Sequence, residues 1–172
     1  MDYTKYRSFY ERTTKKLKTK PKLIKALSIA DKALVLGFVA AYAAFLVYVF
    51  ATLPFEWLLL LNKVGLPALC FAAVTLLRRL IKRPRPYETT GAGIDPLVKK
   101  SSSGNSMPSR HLASAVVIGL TVLPQSLLFG LLCLGAACAL AALRFLEGVH
   151  YPTDLLAGGL LGSLFGVIGL LF

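Results

Sequence analysis

Three polar clusters interrupt an otherwise apolar sequence, and each lies next to an apolar run. The clusters are RRLIKRPRP at 78–86, PSRH at 108–111, and a third that contains Arg144, His150 and Asp154. The chain has two histidines, and both fall in these clusters. A histidine used only for packing has no reason to lie beside arginine and aspartate at the end of a helix. We therefore interpret the clusters as groups that carry chemistry.

Phosphoryl transfer is the chemistry that these residue types suit. Imidazole serves as a nucleophile or a general acid, and guanidinium groups bind phosphate through charge-assisted hydrogen bonds. The chain has only 8 acidic residues, and they are scattered, so we expect no carboxylate cluster to hold magnesium, no other metal and no cofactor. The residues predict transfer to one histidine with the other as acid, followed by hydrolysis of the phosphohistidine.

Proline is expected to place the second cluster at the start of a helix. Pro108 suits the first helical turn, and the amides of Ser109, Arg110 and His111 would then lack helical partners and could face an anion. The hydroxyl of Ser109 would add a further donor.

The third cluster is expected to join a histidine to a carboxylate. Pro152 predicts the start of the last helix, with Asp154 in its first turn. From there the carboxylate reaches back four positions to His150, where it would orient the imidazole and stabilise its cationic form.

Composition predicts an all-α, polytopic transmembrane bundle. Hydrophobic residues make up 56% of the 172 residues, against about 45–50% apolar residues in an average soluble domain. Apolar segments long enough to approach the ~30 Å hydrocarbon core predict about five spanning helices, at 33–53, 57–77, 108–123, 127–146 and 153–172. The net charge of +12 would suit nucleic acid, but a soluble nucleic-acid binder does not need such segments.

Two features within the apolar segments carry further expectations. We expect the side chain of Lys63 to reach the near membrane interface. We expect the four-residue spacing of Gly158, Gly162 and Gly166 to allow close helix packing.

Residues 1–32 form a basic N-terminal segment, and 33–172 the membrane-embedded domain. The first 32 residues hold ten Lys or Arg with interleaved aromatic residues, which predicts an interfacial segment that binds anionic lipid head groups. Counting five crossings places this segment and all three clusters on one face of the cell membrane. The positive-inside tendency makes that face cytoplasmic.

At the three clusters the sequence resembles the type 2 phosphatidic acid phosphatase superfamily, which includes bacterial lipid phosphatases and, more distantly, vanadium haloperoxidases. Its first motif is Lys, six residues, then Arg-Pro, and the frame ending at Arg85 puts Arg78 at the lysine position. The frame ending at Arg83 would put Leu76 there, so we prefer Arg85 as the phosphate ligand. In the second motif, Pro-Ser-Gly-His, this chain has Arg110 in place of Gly.

The third motif of the family is Ser-Arg, five residues, His, three residues, Asp, and here only its serine is replaced, by Leu143. The resemblance implies His150 as nucleophile, Asp154 as its partner, His111 as acid to the leaving oxygen, and Arg78, Arg85, Ser109 and Arg144 as phosphate ligands. The side chain of Arg110 either contacts a second phosphate or narrows the entrance, which leaves monophosphate and pyrophosphate substrates open. Family members more often act on the outer face, against the cytoplasmic face that we favour.

These features predict a metal-independent phosphatase for a membrane lipid. Phosphatidate, phosphatidylglycerophosphate, undecaprenyl pyrophosphate and lipid A are substrates of the right type, because a site between helices suits phosphates anchored by acyl or prenyl chains. Two alternatives remain: a transferase that passes the phosphoryl group to another lipid or sugar, and a noncatalytic lipid-binding scaffold. The sequence does not define an oligomeric state.

Overall fold

A computed structural model describes residues 3–89, 93–98 and 104–171, and this part of the chain contains helices and no strands. A π-helical turn, Leu61–Gly65, joins α3 to α4, and a 3₁₀ turn, Pro86–Glu88, follows α4. The α-helices are α1 (Tyr3–Lys18), α2 (Pro21–Thr52), α3 (Trp57–Leu60), α4 (Leu66–Ile81), α5 (Arg110–Val122), α6 (Leu127–Leu146) and α7 (Pro152–Leu170).

The predicted all-α membrane fold is confirmed, and the expected number of spans is close. Four helical stretches in the described residues are long and apolar enough to cross a bilayer: Pro21–Thr52, Trp57–Glu88, Leu127–Leu146 and Pro152–Leu170. The fifth apolar helix, α5, has only 13 residues, and at about 1.5 Å per residue it is shorter than the ~30 Å hydrocarbon core. The boundary between 32 and 33 falls inside α2, and the division into two segments there remains a prediction.

The short helix α5 lies at the centre of the bundle, packed against α4, α6 and α7. Its buried side chains form one core with those of α2 and α4, comprising Phe45, Val49, Cys70, Val74, Ala113, Val117, Ile118 and Val122. Large apolar side chains on the outside of the bundle remain exposed, as a lipid-facing surface requires. Because α5 is enclosed by its neighbours, both of its ends depend on polar groups from other helices.

The π-helical turn supplies those groups at one end of α5. Pro67 has no N–H for the carbonyl of Lys63, four residues earlier, and that carbonyl accepts the hydroxyl of Tyr42. The Lys63 ammonium donates to the backbone oxygen of Thr121, near the end of α5, and to Oδ1 of Asn62 at 3.1 Å. Lys63 is 1% exposed, so the expectation that it reaches the interface is wrong. The last carbonyls of a helix need donors, and Lys63 provides one inside the bundle.

The glycines of α7 let its backbone approach α5, as their spacing predicted. A Cβ at Gly158 would lie 2.5 Å from the backbone oxygen of Ser109, and one at Gly162 would lie 2.5 Å from that of Ala113. Neither backbone oxygen can move independently of its helix. The contact therefore fixes the distance between α5 and α7 along much of their length.

Substitution of Gly162 tests this contact. We expect Gly162→Ala to lower the melting temperature of the detergent-solubilised protein, because an overpacked helix contact costs about 1–3 kcal/mol. Gly135→Ala is the matched control, since nothing lies within 4 Å of a Cβ at that position. An equal or smaller loss of melting temperature for Gly162→Ala than for Gly135→Ala would contradict the packing.

Candidate functional site

The turn between α6 and α7 holds His150 beside Asp154, and both side chains are buried, at 4% and 0% exposure. Helix α7 begins at Pro152, as predicted. The Nδ1 atom of His150 lies 3.7 Å from Oδ2 of Asp154, which is longer than a hydrogen bond. Oδ2 also accepts the backbone N–H of Tyr151 at 2.9 Å. The carboxylate is therefore held by its own helix start while it faces the imidazole.

The charge state of His150 follows from its surroundings. Burial lowers the pKa of His150 below its ordinary value, and the positive charges of Arg78 and Arg85 lower it further, whereas Asp154 raises it. Because the charges of Arg78 and Arg85 affect this pKa, both guanidinium groups lie within electrostatic reach of the imidazole. At neutral pH the ring is thus an uncharged group among positive charges.

Arg83 binds the other oxygen of the same carboxylate. Its Nη1 atom lies 2.8 Å from Oδ1 of Asp154 and 2.8 Å from Oγ1 of Thr153. The guanidinium also lies over the ring of Tyr151, 4.1 Å from the centroid, a favourable cation–π geometry. The sequence indicates Arg83 only as a neighbour of Arg85, because the preferred frame of the first motif ends at Arg85. Nothing in that motif indicates that Arg83 binds Asp154.

Arg78 organises the chain that leads into α5. It donates to the backbone oxygen of Asn105, to that of Ser106 at 3.2 Å and to that of Pro108 at 2.9 Å. The side chain of Asn105 returns a hydrogen bond of 2.7 Å to the backbone oxygen of Arg78. The guanidinium of Arg78 thus holds residues 105–108, the segment that leads to Ser109, in position.

Ser109 is fully buried, and its hydroxyl has no hydrogen-bond partner in the described residues. The first-turn prediction for this segment was wrong, because α5 begins at Arg110 and both Pro108 and Ser109 precede it. Ser109 is the extended residue before α5, and its N–H donates to the backbone oxygen of Asp154 at 2.9 Å. That amide is not available to an anion, because the approach of α7 to α5 gives it a carbonyl partner. The unpartnered hydroxyl remains.

Arg85 and Arg144 have different partners in the structure. Nη1 of Arg85 donates to the hydroxyl of Tyr87 at 3.0 Å, while its buried Nε has no hydrogen-bond partner in the described residues. Nε of Arg144 lies 2.9 Å from Oδ1 of Asp31, on α2. Asp31 is 3% exposed, and sequence reasoning missed it because it stands in the basic N-terminal segment.

His111 and Arg110 line an apolar cavity of about 330 Å³ between α2, α4, α5 and α6. The guanidinium of Arg110 lies 5.6 Å from the ring centroid of Phe71, which also lines the cavity. The structure thus gathers His150, Asp154 and Ser109 around the α5–α7 contact. His111 and Arg110, in the first turn of α5, line the cavity.

Helix α1 packs against the loop that carries His150. The ring of Tyr6 lies 4.9 Å from that of Tyr151, and Tyr10 donates to the backbone oxygen of Leu146 at 2.9 Å. Burial raises the pKa of Tyr10 to about 12, so its hydroxyl keeps its proton. The N-terminal helix therefore lies at the same end of the bundle as the three clusters.

Comparisons with known proteins show which proteins share this architecture. The family model described as PAP2 superfamily matches residues 57–172. The chain is similar to the crystal structure of LpxE from Aquifex aeolicus, with 22% identity, a TM-score of 0.63, and coverage of 88% of this chain and 94% of that one. It is also similar to a PAP2 type phosphatidylglycerolphosphate phosphatase from Bacillus subtilis, with 19% identity, a TM-score of 0.48, and coverage of 97% and 92%. No curated protein sequence matches significantly. The likeness to LpxE shows a shared fold.

Removal of Arg83 tests the contact with Asp154. We expect Arg83→Met to lower the free energy of unfolding by about 3 kcal/mol, because it leaves a buried carboxylate without its cation. Thermal melting in detergent checks this. Arg79→Met, an exposed position on α4, is the matched control. If Arg83→Met destabilises the Asp154→Asn chain as much as the parent chain, the two side chains are not coupled.

Proposed function

Because the chain belongs to the PAP2 superfamily, we propose that it is an integral membrane phosphatase that hydrolyses a phosphate monoester or pyrophosphate of a lipid. The observation that carries the proposal is the buried His150–Asp154 pair, within electrostatic reach of Arg78 and Arg85. A neutral imidazole beside guanidinium groups is suited to attack phosphorus, since the cations bind the phosphate and disperse its negative charge.

In the first step, Nε2 of His150 attacks phosphorus. A P–N bond forms as the bond to the leaving oxygen breaks, and His111 gives that oxygen a proton. Asp154 faces Nδ1, so it keeps Nε2 directed away from itself and stabilises the positive charge that develops on the ring.

In the second step, water attacks the phosphohistidine. His111, now neutral, takes a proton from the water as the P–N bond breaks, and inorganic phosphate leaves with His150 restored. The unpartnered hydroxyl of Ser109 and the Nε of Arg85 support their role as phosphate ligands, because a buried donor without an acceptor is costly until a ligand occupies it.

Arginines take the place of a metal in this proposal. Two buried carboxylates of the described residues are paired with cations: Asp154 with Arg83, and Asp31 with Arg144. Neither is an obvious ligand for magnesium, whereas Arg78 and Arg85 carry positive charge without a carboxylate partner in the described residues.

The apolar cavity supports a lipid as the substrate. Apart from Arg110, His111 and Ser114, the residues that line it are apolar, and it lies beside the first turn of α5. An acyl or prenyl chain held between α2 and α6 would leave its phosphate at the end of the bundle that holds His150.

The basic N-terminal segment supports two further proposals. Its lysines and arginines are largely exposed, Arg12, Lys15 and Lys22 among them, which suits binding of anionic head groups. The contact of α1 with Tyr151 supports a site on the same face as the N-terminus, and we favour the cytoplasmic face. An impermeant thiol reagent that labels a single cysteine at position 5 in intact cells would overturn that orientation.

Loss of His150 tests the mechanism. We expect the purified protein to release inorganic phosphate from lipid phosphates in excess chelator, and vanadate to inhibit this release. His150→Ala should lower the rate at least about a thousandfold, since the nucleophile is lost. A panel of phosphatidate, phosphatidylglycerophosphate, undecaprenyl pyrophosphate and lipid A provides the substrates.

Three results would contradict the proposal: full activity of His150→Ala, strict dependence on magnesium, or no release from any lipid in the panel. Phosphate that appears on an acceptor lipid or sugar instead of in water would identify a transferase.

The pH profile tests the charge state of His150. Since burial lowers its pKa, and the ordinary pKa of histidine is about 6.5, we expect the acid limb of kcat/KM to lie below about pH 6.5. Asp154→Asn removes a group that raises this pKa, so the acid limb should move to lower pH while the rate falls. Both proteins are measured with one substrate, so that ionisation of the phosphate is common to both. An acid limb that moves to higher pH would contradict this assignment.

A further inference from the structure

Arg110 lines the apolar cavity and directly follows Ser109, whose backbone contacts Asp154. Ser109, its neighbour in sequence, contacts α7 through its backbone at Asp154, whereas the side chain of Arg110 lines the cavity beside His111. A lipid with its terminal phosphate at His150 and its tail in the cavity would therefore pass Arg110.

The guanidinium of Arg110 has no acidic partner in the part of the chain that the structure describes. Its guanidinium lies over the ring of Phe71, 5.6 Å from the centroid. The buried carboxylates of Asp154 and Asp31 are paired with other arginines. Arg110 is thus a cation at the mouth of an apolar cavity, where weak screening makes an anionic partner favourable.

Arg110 also lies close enough to Arg78 for their positive charges to repel, and Arg85 adds to that repulsion. One phosphate bound by Arg78 and Arg85 would relieve the repulsion between those two. Because Arg110 lines the cavity, its charge would be balanced best by a second anionic group. That group would lie between the first phosphate and the lipid tail.

We propose that Arg110 binds a second phosphate, located between the reacting phosphate and the lipid tail, and that the preferred substrate therefore carries two phosphate groups. This inference rests on the proposed function and narrows its substrate class. Two lipid chemistries provide such a group: a diphosphate, in which the phosphates share an oxygen, and a phosphodiester that links the tail to a phosphorylated alcohol.

Matched lipid pairs test the proposal in the full-length protein in detergent. One pair is a prenyl diphosphate and the prenyl monophosphate with the same tail; the other is phosphatidylglycerophosphate and phosphatidate with the same acyl chains. We expect Arg110→Gln to lower kcat/KM roughly 10- to 100-fold for the two-phosphate lipid of at least one pair, since a hydrogen bond to a charged group contributes about 1.5–3 kcal/mol. The single-phosphate lipids should change less than about threefold.

The pattern across the pairs identifies the chemistry. A selective loss confined to the prenyl pair assigns the second phosphate to a diphosphate, and one confined to the glycerolipid pair assigns it to a phosphodiester. An equal loss on both members of both pairs would make Arg110 a ligand of the reacting phosphate and overturn the proposal. No loss on any lipid would overturn it as well.

Two controls separate charge from packing. Arg110→Lys should recover part of the selectivity, because the cation is retained without the planar donor fork. Arg79→Gln removes a charge from an exposed position on α4 and should leave the ratio between paired lipids unchanged. A change in that ratio equal to the change for Arg110→Gln would attribute the effect to net charge and reject the proposal.

Binding separates this inference from the proposed function. In the His150→Ala chain, the Kd of each lipid is measured with and without Arg110→Gln. If no lipid is hydrolysed by the parent chain, the proposed function fails, yet a Kd that rises selectively for two-phosphate lipids upholds the role of Arg110. An equal change in Kd for both members of each pair rejects it.

Discussion

The buried carboxylate of Asp154 is the interaction on which the site depends. One of its oxygens accepts from Arg83, which follows α4, the other accepts from the start of α7 and faces His150, and its backbone oxygen accepts from Ser109 before α5. Residues from three parts of the sequence are thereby tied to one residue, Asp154, which is 0% exposed. A buried carboxylate requires such partners, and those partners are the segments that carry the polar clusters.

Close packing of α5 and α7 makes this arrangement possible. The backbone oxygen of Asp154 reaches Ser109 only because the glycines of α7 admit the backbone of α5. At the other end of α5, the Lys63 ammonium binds the backbone oxygen of Thr121. A helix of 13 residues can therefore begin and end within the bundle, because it has polar partners at both ends. The same contacts fix the position of its first turn relative to the imidazole of His150.

Features that depend on local sequence could be predicted, and features that depend on contacts between distant segments could not. Pro152 and the spacing of His150 and Asp154 define one turn of chain, and the structure has that turn as expected. The pairing of Asp31 with Arg144 joins residues more than one hundred positions apart, and no spacing rule indicates it. Local sequence leaves the amide of Ser109 without a partner, whereas the structure gives it the backbone oxygen of Asp154 on another helix.

The arginines of the site divide by the partners that hold them. Carboxylates hold Arg83 and Arg144, so a large part of their charge is already balanced and they are suited to fixing Asp154 and α2 in position. Neutral groups hold the others: backbone carbonyls for Arg78, a tyrosine hydroxyl for Arg85 and an aromatic ring for Arg110. Neutral partners orient a guanidinium without balancing its charge, so these three retain the attraction for an anion. They stand at the end of an apolar bundle, where that attraction is screened less than in water. The division gives Arg144 a structural contact that the family motif alone does not indicate. It leaves unbalanced positive charge within reach of His150, at Arg78 and Arg85, and on the wall of the cavity, at Arg110.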